Sequence, residues 1–501
     1  MSDPIYAGPW SVLPPLVSIA FALFTKNIIS SLFLGIFTGT LIYSFFLKAN
    51  LIVAFKLIFN VLEHSISSNV LVIIFISLLG ALSQIMINSG GASGYTKWAE
   101  KKIKSARLAQ FSSVILALLF SIDDFFSCLT VGSIMRPIMD KNKVSRAKFA
   151  YILDTMASPV CLIMPISSWA ATIVACISGS GLPGMKVFLN TIIFNFYPIF
   201  AIFTVILSLL VAKDFGLMEK FQQEAKNNSD MSAVKEKQLI ETEKIDGKIS
   251  DLVIPIFVLI LASVFMILET GGFFSKNNRH FIEILGEADA SLAITFGSFS
   301  AIIASFILFV PKTLNFEKFM ESISEGTKSM LPAIIMLVLA WSMTSVCQKY
   351  LMVGSYIKNI IFSSNFSEKI LPLIIFIFSS LLSFSIGSSW GTFGILIPIV
   401  VSVCSGIDYD LTVGTIAAVL SGSVLGVNCS PVASIGILVS TGAGCKHLDH
   451  IYSQIPYALL AGFASCIAFF ILFFSKNLLI IYSVPAIFLV FMYYFYQRLK
   501  L

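Results

Sequence analysis

Charge is scarce in this sequence. Asp, Glu, Lys and Arg make up 12% of its 501 residues, half the roughly 25% of soluble domains. With 57% of residues hydrophobic and a mean hydropathy of +0.91, a water-soluble fold is excluded, because one core cannot hide so much apolar surface. Paired cysteines are missing too. The eight cysteines, Cys128, Cys161, Cys347 and Cys429 among them, stand singly in apolar runs without CxxC or His spacing, so free thiols are expected and not disulfides or zinc. No HExxH metal motif occurs, and no GK[ST] follows the Gly-rich bend from Asn88 to Gly94, which rules out a phosphate loop. No enzyme and no resident cofactor are expected. A channel would want a filter repeated by symmetry, and none is legible. The first apolar run, Trp10 to Phe24, has no basic segment before it and no small-residue cleavage site after it, and therefore reads as a retained helix.

What the sequence has in abundance is apolar runs long enough for a hydrocarbon layer about 30 Å thick. Runs such as Asn27 to Leu47 are apolar on every face, unlike the alternating segments of a barrel. The expectation is an all-α polytopic membrane protein with about eleven spans and two re-entrant hairpins. One hydrophilic segment, Lys213 to Ser250, reads as a solvated cytoplasmic linker. It separates a first membrane repeat (1–212) from a second (251–475), with an extra C-terminal helix over 476–501.

The halves echo each other. FSIDDFF (Phe120 to Phe126) returns as FSIGSSW (Phe384 to Trp390), and ASPV (Ala157 to Val160) as CSPV (Cys429 to Val432). Lys97, Lys101, Lys102, Lys104 and Arg107 precede the first motif, and Arg136, Lys141, Lys143, Arg146 and Lys148 follow it. Cytoplasmic loops collect such residues, so the segment enters and leaves on one side and turns at Asp123 and Asp124. Counting outward makes the N-terminus external and the tail at Arg498 and Lys500 cytoplasmic. The second hairpin (Ile370 to Cys404) opens outward beside Asp408 and Asp410. The expected repeats are thus inverted, each with a hairpin and a broken helix.

A carboxylate at the bilayer centre costs about 2.5 to 3.5 kcal/mol, so Asp123, Asp124 and Asp154 ask for a function. Capping of the hairpin turn would use Asp as well. Adjacent carboxylates in a poorly solvated place cannot both ionise cheaply, and either a proton or Na⁺ relieves the repulsion. Competition for the same oxygens suffices for exchange. The candidate ion and proton site is Asp123, Asp124, Asp154 and Ser158, with Na⁺ on the three carboxylates. Pro159 and Pro431 are expected to break their helices and free carbonyls beside Ser158 and Ser430. At the neutral second tip, Gly387, Ser388, Ser389, Trp390, Gly391 and Thr392 offer hydroxyls and close backbone approach, and an ordinary packing surface would look the same. His447, Asp449 and His450 read as a solvated span end.

The sequence resembles the NhaC family of bacterial Na⁺/H⁺ antiporters over nearly its whole length. The similar parts are Gly8 to Leu23, Ser121 to Trp169, Ser388 to Ile399 and Ser440 to Leu460. The resemblance implies sodium efflux coupled to protons across the inner membrane, in a broader group that also holds carriers of organic and amino acids. One departure matters. Where the family reads something like GDHCSPISDT, this chain reads GVNCSPVASI (Gly426 to Ile435). Val427, Asn428 and Ser434 replace two acids and a histidine, so Ser388, Ser389, Thr392, Asn428 and Ser430 would suit a small neutral or zwitterionic solute coupled to Na⁺ or H⁺. Beyond ions or solute and the bilayer, no nucleic-acid partner is expected, and the sequence leaves room for a homodimer.

Overall fold

A computed structural model describes residues 4–25, 27–91, 94, 99, 102–178, 182–211, 213–227, 248–274, 288–312, 314–353, 355–356, 368–404 and 408–499. Residues 228–247 of the expected linker, Lys97, Lys101 and Lys500 of the basic clusters, and Ala92 and Ser93 of the Gly-rich bend lie outside them. The described residues are helical, with no β-strand among them. Ten of their helices are long and apolar enough to cross a membrane, or up to twelve spans if two bent pairs each count as one. The chain is a multi-pass, all-helical membrane protein.

Four helices open the chain: α1 (Leu13–Thr25), α2 (Ile28–Phe46), α3 (Leu51–Ser68) and α4 (Val70–Asn88). A hairpin follows, α5 (Ala106–Leu119) and α6 (Asp124–Lys141), and then a broken helix, α7 (Arg146–Ile163) and α8 (Ser168–Ser178), bent by 42°. Next come α9 (Gly184–Thr191), α10 (Phe196–Val211) and α11 (Gly216–Lys226). The second half runs α12 (Ile249–Thr270), α13 (Ala290–Phe309) and α14 (Phe316–Ser345), then a hairpin of α15 (Leu371–Ile386) and α16 (Ser389–Cys404). It ends with the pair α17 (Tyr409–Cys429) and α18 (Ser434–Ala443), then α19 (His447–Phe474) and α20 (Leu478–Leu499).

In space the helices sort into two bundles, each drawn from both halves. One joins α1 to α4 with α12 to α14; the other gathers the hairpins, the broken helices and α10 and α19. α17 lies at the centre of the second, 89% of its span buried, whereas the span in α12 is 28% buried. In α7 every residue from Ala147 to Leu162 is buried. The hairpins pack reciprocally: α6 lies against α18, and α16 against α8. Their flanks meet opposite ends of the bundle. Arg107, just inside α5, donates to the carbonyl of Leu210 at the finish of α10, and Lys143 beyond α6 donates to that of Lys226. The flanks of the second hairpin, Lys369, Asp408 and Asp410, line a cleft with Ile193 and Phe194 near the start of α10.

Two expectations need correction. Pro159 does not break its helix: it lies inside α7, which continues to Ile163. The break comes at Met164, with φ −83° and ψ 123°, and its counterpart at Ser430 has φ −87° and ψ 123°. Each is followed by a proline, and a residue before proline is pushed out of the helical region. The structural twin of Pro431 is therefore Pro165, and the ASPV echo is six residues out of register. The second correction concerns the linker, whose first part is a helix that packs one face against the bundle. α11 buries Met218, Phe221 and Ala225, an apolar stripe at helical spacing within a polar sequence. Gln222 fixes it, donating to the Lys143 carbonyl at 2.8 Å and accepting from the Ser145 amide at 3.1 Å.

Candidate functional site

Asp154, Ser158 and Cys161 are spaced by four and three residues, so they form one stripe along α7. The upper part of that stripe meets the first hairpin tip. α5 ends at Leu119 and α6 begins at Asp124, leaving Phe120 to Asp123 as the turn. Ser158 Oγ donates to Asp124 Oδ2 at 3.1 Å, and Cys161 Sγ donates to the Ser121 carbonyl at 3.1 Å. Across the bend, Ser168 Oγ donates to Asp123 Oδ2 at 2.9 Å and its amide to the Ile122 carbonyl at 2.8 Å. The two carboxylates thus hold different arms of one broken helix. Asp124 also accepts from the Phe125 amide at 3.1 Å, near the electropositive start of α6, so the capping role expected of Asp is partly realised. Asp123 is 3% exposed and Asp124 1%.

Asp154 has other partners. Its Oδ2 accepts a short hydrogen bond from Gln454 Nε2, which also donates to the Asn428 carbonyl at 2.8 Å. His450 Nε2 stands 3.7 Å from the same oxygen. The structure therefore brings Asp123, Asp124 and Ser158 together and gives Asp154 a separate setting with Asn428. His450 is fully buried and not at a solvated end. Gln454 was missed from the sequence. The pair His450 and Gln454, one turn apart near the start of α19, is the signal that would have found it: two polar side chains on one face of an apolar helix. His447, expected at the interface, is half-buried, with Nε2 2.8 Å from the Pro431 carbonyl at the second break.

The second tip uses its hydroxyls differently. Gly387 has φ +76°, a left-handed turn that glycine adopts without penalty, and a Cβ there would lie 2.7 Å from the Val432 carbonyl oxygen. Ser389 Oγ donates to the Ser423 carbonyl at 3.0 Å and Ser430 Oγ to that of Phe384 at 2.7 Å. Ser388 and Thr392 bond within their own turn. Gly387 to Gly391 also spells G-x-S-x-G, which an esterase places on a strand-to-helix turn. Here Ser389 opens a helix after a helix, and its proton goes to a peptide carbonyl. Between the tips, the ring of Trp169 lies 5.8 Å from those of Trp390 and Phe393.

With this geometry in place, comparison with known proteins separates family from fold. The model of the Na⁺/H⁺ antiporter family matches residues 160–474, well over half of the chain. The chain belongs to that family. The matched antiporter region holds Ser168, both broken-helix joints, His450 and Gln454, while Asp123, Asp124 and Asp154 precede it. An uncharacterized protein of Haemophilus influenzae is 33% identical over 498 residues, covering 96% of this chain and 94% of that one. Among solved structures, the Alcanivorax borkumensis YdaH transporter, described as having an unusual topology, is similar with a TM-score of 0.50. It is 13% identical, over 86% of this chain and 90% of that chain, and at that identity the likeness is one of fold.

Proposed function

We propose that this secondary transporter exchanges Na⁺ for H⁺ at the first hairpin tip. The observation that carries the reading is the burial of Asp123 and Asp124 side by side, with hydroxyl partners from both arms of a broken helix. Two adjacent carboxylates out of water repel and are poorly solvated. A Na⁺ held by their oxygens with Ser158 and Ser168 relieves that, and so do protons on the same oxygens. The two cargoes exclude each other, which couples them, provided that only loaded forms cross. Reciprocal packing of the hairpins and their opposite-ended flanks support inverted repeats, with the basic end of the first hairpin cytoplasmic and the N-terminus external in a bacterial inner membrane. Movement of the hairpin bundle against the other would then carry the site across.

A second reading is Na⁺- or H⁺-coupled movement of a small organic solute. It is favoured by the neutral second tip and the break beside it, where Ser388, Ser389, Thr392 and Ser430 keep acceptor lone pairs. The deciding experiment loads proteoliposomes with a pH-sensitive dye, imposes a proton gradient and adds Na⁺, Li⁺ or K⁺. Cation-triggered proton movement that is lost in Asp124→Asn is expected. No response to any cation would overturn antiport and move the search to amino and organic acids.

A further inference from the structure

We propose that Asp154, Asn428 and Gln454 form a second monovalent-cation site, one helical turn along α7 from the hairpin tip. The proposal rests on the reading of the chain as a Na⁺ transporter and adds a second ion to it. Its basis is a group of oxygens. Asp154 Oδ1, Asn428 Oδ1 and Gln454 Oε1 are buried, and no donor among the described residues reaches any of them. Asp154 and Asn428 are each 1% exposed and Gln454 is fully buried. The Gln454 amide is oriented by its two donated bonds, to Asp154 Oδ2 and to the Asn428 carbonyl, so Oε1 is the atom left over. That amide thereby joins the Asp154 carboxylate to the main chain of Asn428 at the end of α17.

Buried polar atoms are paired in roughly nine cases of ten, yet these three oxygens and both ring nitrogens of His450, beside the same carboxylate, have no partner among the described residues. The unpaired atoms on Asp154, Asn428 and Gln454 are all oxygens, and a cation is a partner that suits all three. Asp154 contributes one formal charge and the amides none, which balances a monovalent ion; a divalent ion would leave an uncompensated charge in a dry setting. Asn428 sits in the last turn of α17, with Ser430 as its C-terminal cap. That end carries the negative pole of the helix and carbonyls without intrahelical partners, the arrangement by which discontinuous helices hold Na⁺ in transporters. His450 approaches Oδ2 and leaves Oδ1 uncovered.

The test counts ions on the purified full-length protein by equilibrium dialysis with radiolabelled Na⁺. About two ions per chain are expected at saturation, with one lost in Asn428→Leu, which is similar in volume and apolar, and a different one lost in Asp124→Asn. Asn428→Asp keeps the oxygen and adds charge, and should bind Na⁺ at least tenfold more tightly. Should Asn428→Leu fail to fold, that tightening carries the test, and unchanged affinity overturns the second site. A single ion lost in Asp124→Asn and unaffected by Asn428→Leu overturns the second site alone, with water as the partner of the three oxygens. A single ion lost only in Asn428→Leu supports this site and overturns the tip. Absence of Na⁺ binding in the wild type overturns both.

Discussion

At the first hairpin tip the chain meets its broken helix through carboxylates bonded to serine hydroxyls; at the second it meets the equivalent helix through hydroxyls bonded to peptide carbonyls. The second contact is also the closer. A Cβ at Gly422 or Gly426 of α17 would overlap the carbonyl of Phe376 or Ser380 on α15, while Ser379 and Ser383 donate across the same seam to Val419 and Ser423 at 2.7 and 2.6 Å. Small residues that let helices approach in this way fix a membrane interface by packing alone. None of these seam contacts involves an ionisable side chain. The first tip differs, since its bonds end on groups whose charge depends on what is bound. Under the proposed exchange, one tip responds to cargo and the other holds.

The comparison breaks most sharply if neutralising the acidic tip leaves exchange intact. Asp124→Asn should abolish cation-triggered proton flux in proteoliposomes, whereas Ser389→Ala should leave it within about threefold, the value of one modest hydrogen bond. Equal losses would mean that both tips carry cargo. Next in size is packing. Gly426→Leu forces a branched side chain into backbone and should destabilise by about 3 kcal/mol, seen as a lower melting temperature in detergent before any transport assay. A smaller contrast separates binding from stability: Ser158→Ala, which removes a hydroxyl from Asp124, should raise the Na⁺ concentration for half-maximal flux about tenfold, equivalent to ~1.4 kcal/mol. Ser430→Ala, which removes a donor from the Phe384 carbonyl, should lower the melting point and spare Na⁺ affinity.

Much of this was legible in the sequence because it was local. Apolar runs gave the spans, basic flanks marked the first hairpin, and the neighbouring acids Asp123 and Asp124 fell at its turn. Asp154 was assigned to that pair because its own partners are distant: Gln454 is 300 residues away, and nothing local to Asp154 announces it. α11 was hidden for the opposite reason, its three apolar residues being diluted by the charges of the segment around them. The break was misplaced by a rule applied too simply. Pro159 and Pro165 both lack an amide hydrogen, but only Pro165 is followed two residues later by a serine that caps a new helix.

That residue, Ser167, sets up the smallest expected effect. Its hydroxyl donates to the Cys161 carbonyl at 2.7 Å, in the last turn of α7, and accepts from the Ala170 amide at 3.0 Å, in the first turn of α8. One side chain thus serves unpaired groups on both sides of the bend. At the second break, His447 meets the Pro431 carbonyl, and Ala433 in the place of Ser167 has no hydroxyl to offer. If Ser167 holds the first break, then Pro165→Ala removes a constraint that is already redundant, and should shift stability by less than about 0.5 kcal/mol and Na⁺ affinity by less than twofold. Ser167→Ala should cost about 1 kcal/mol. The second break depends more on its proline, so Pro431→Ala should exceed Pro165→Ala in both measurements. The reverse order would mean that proline and not the cap bends the first helix, and that the two breaks are alike in mechanism as well as in shape.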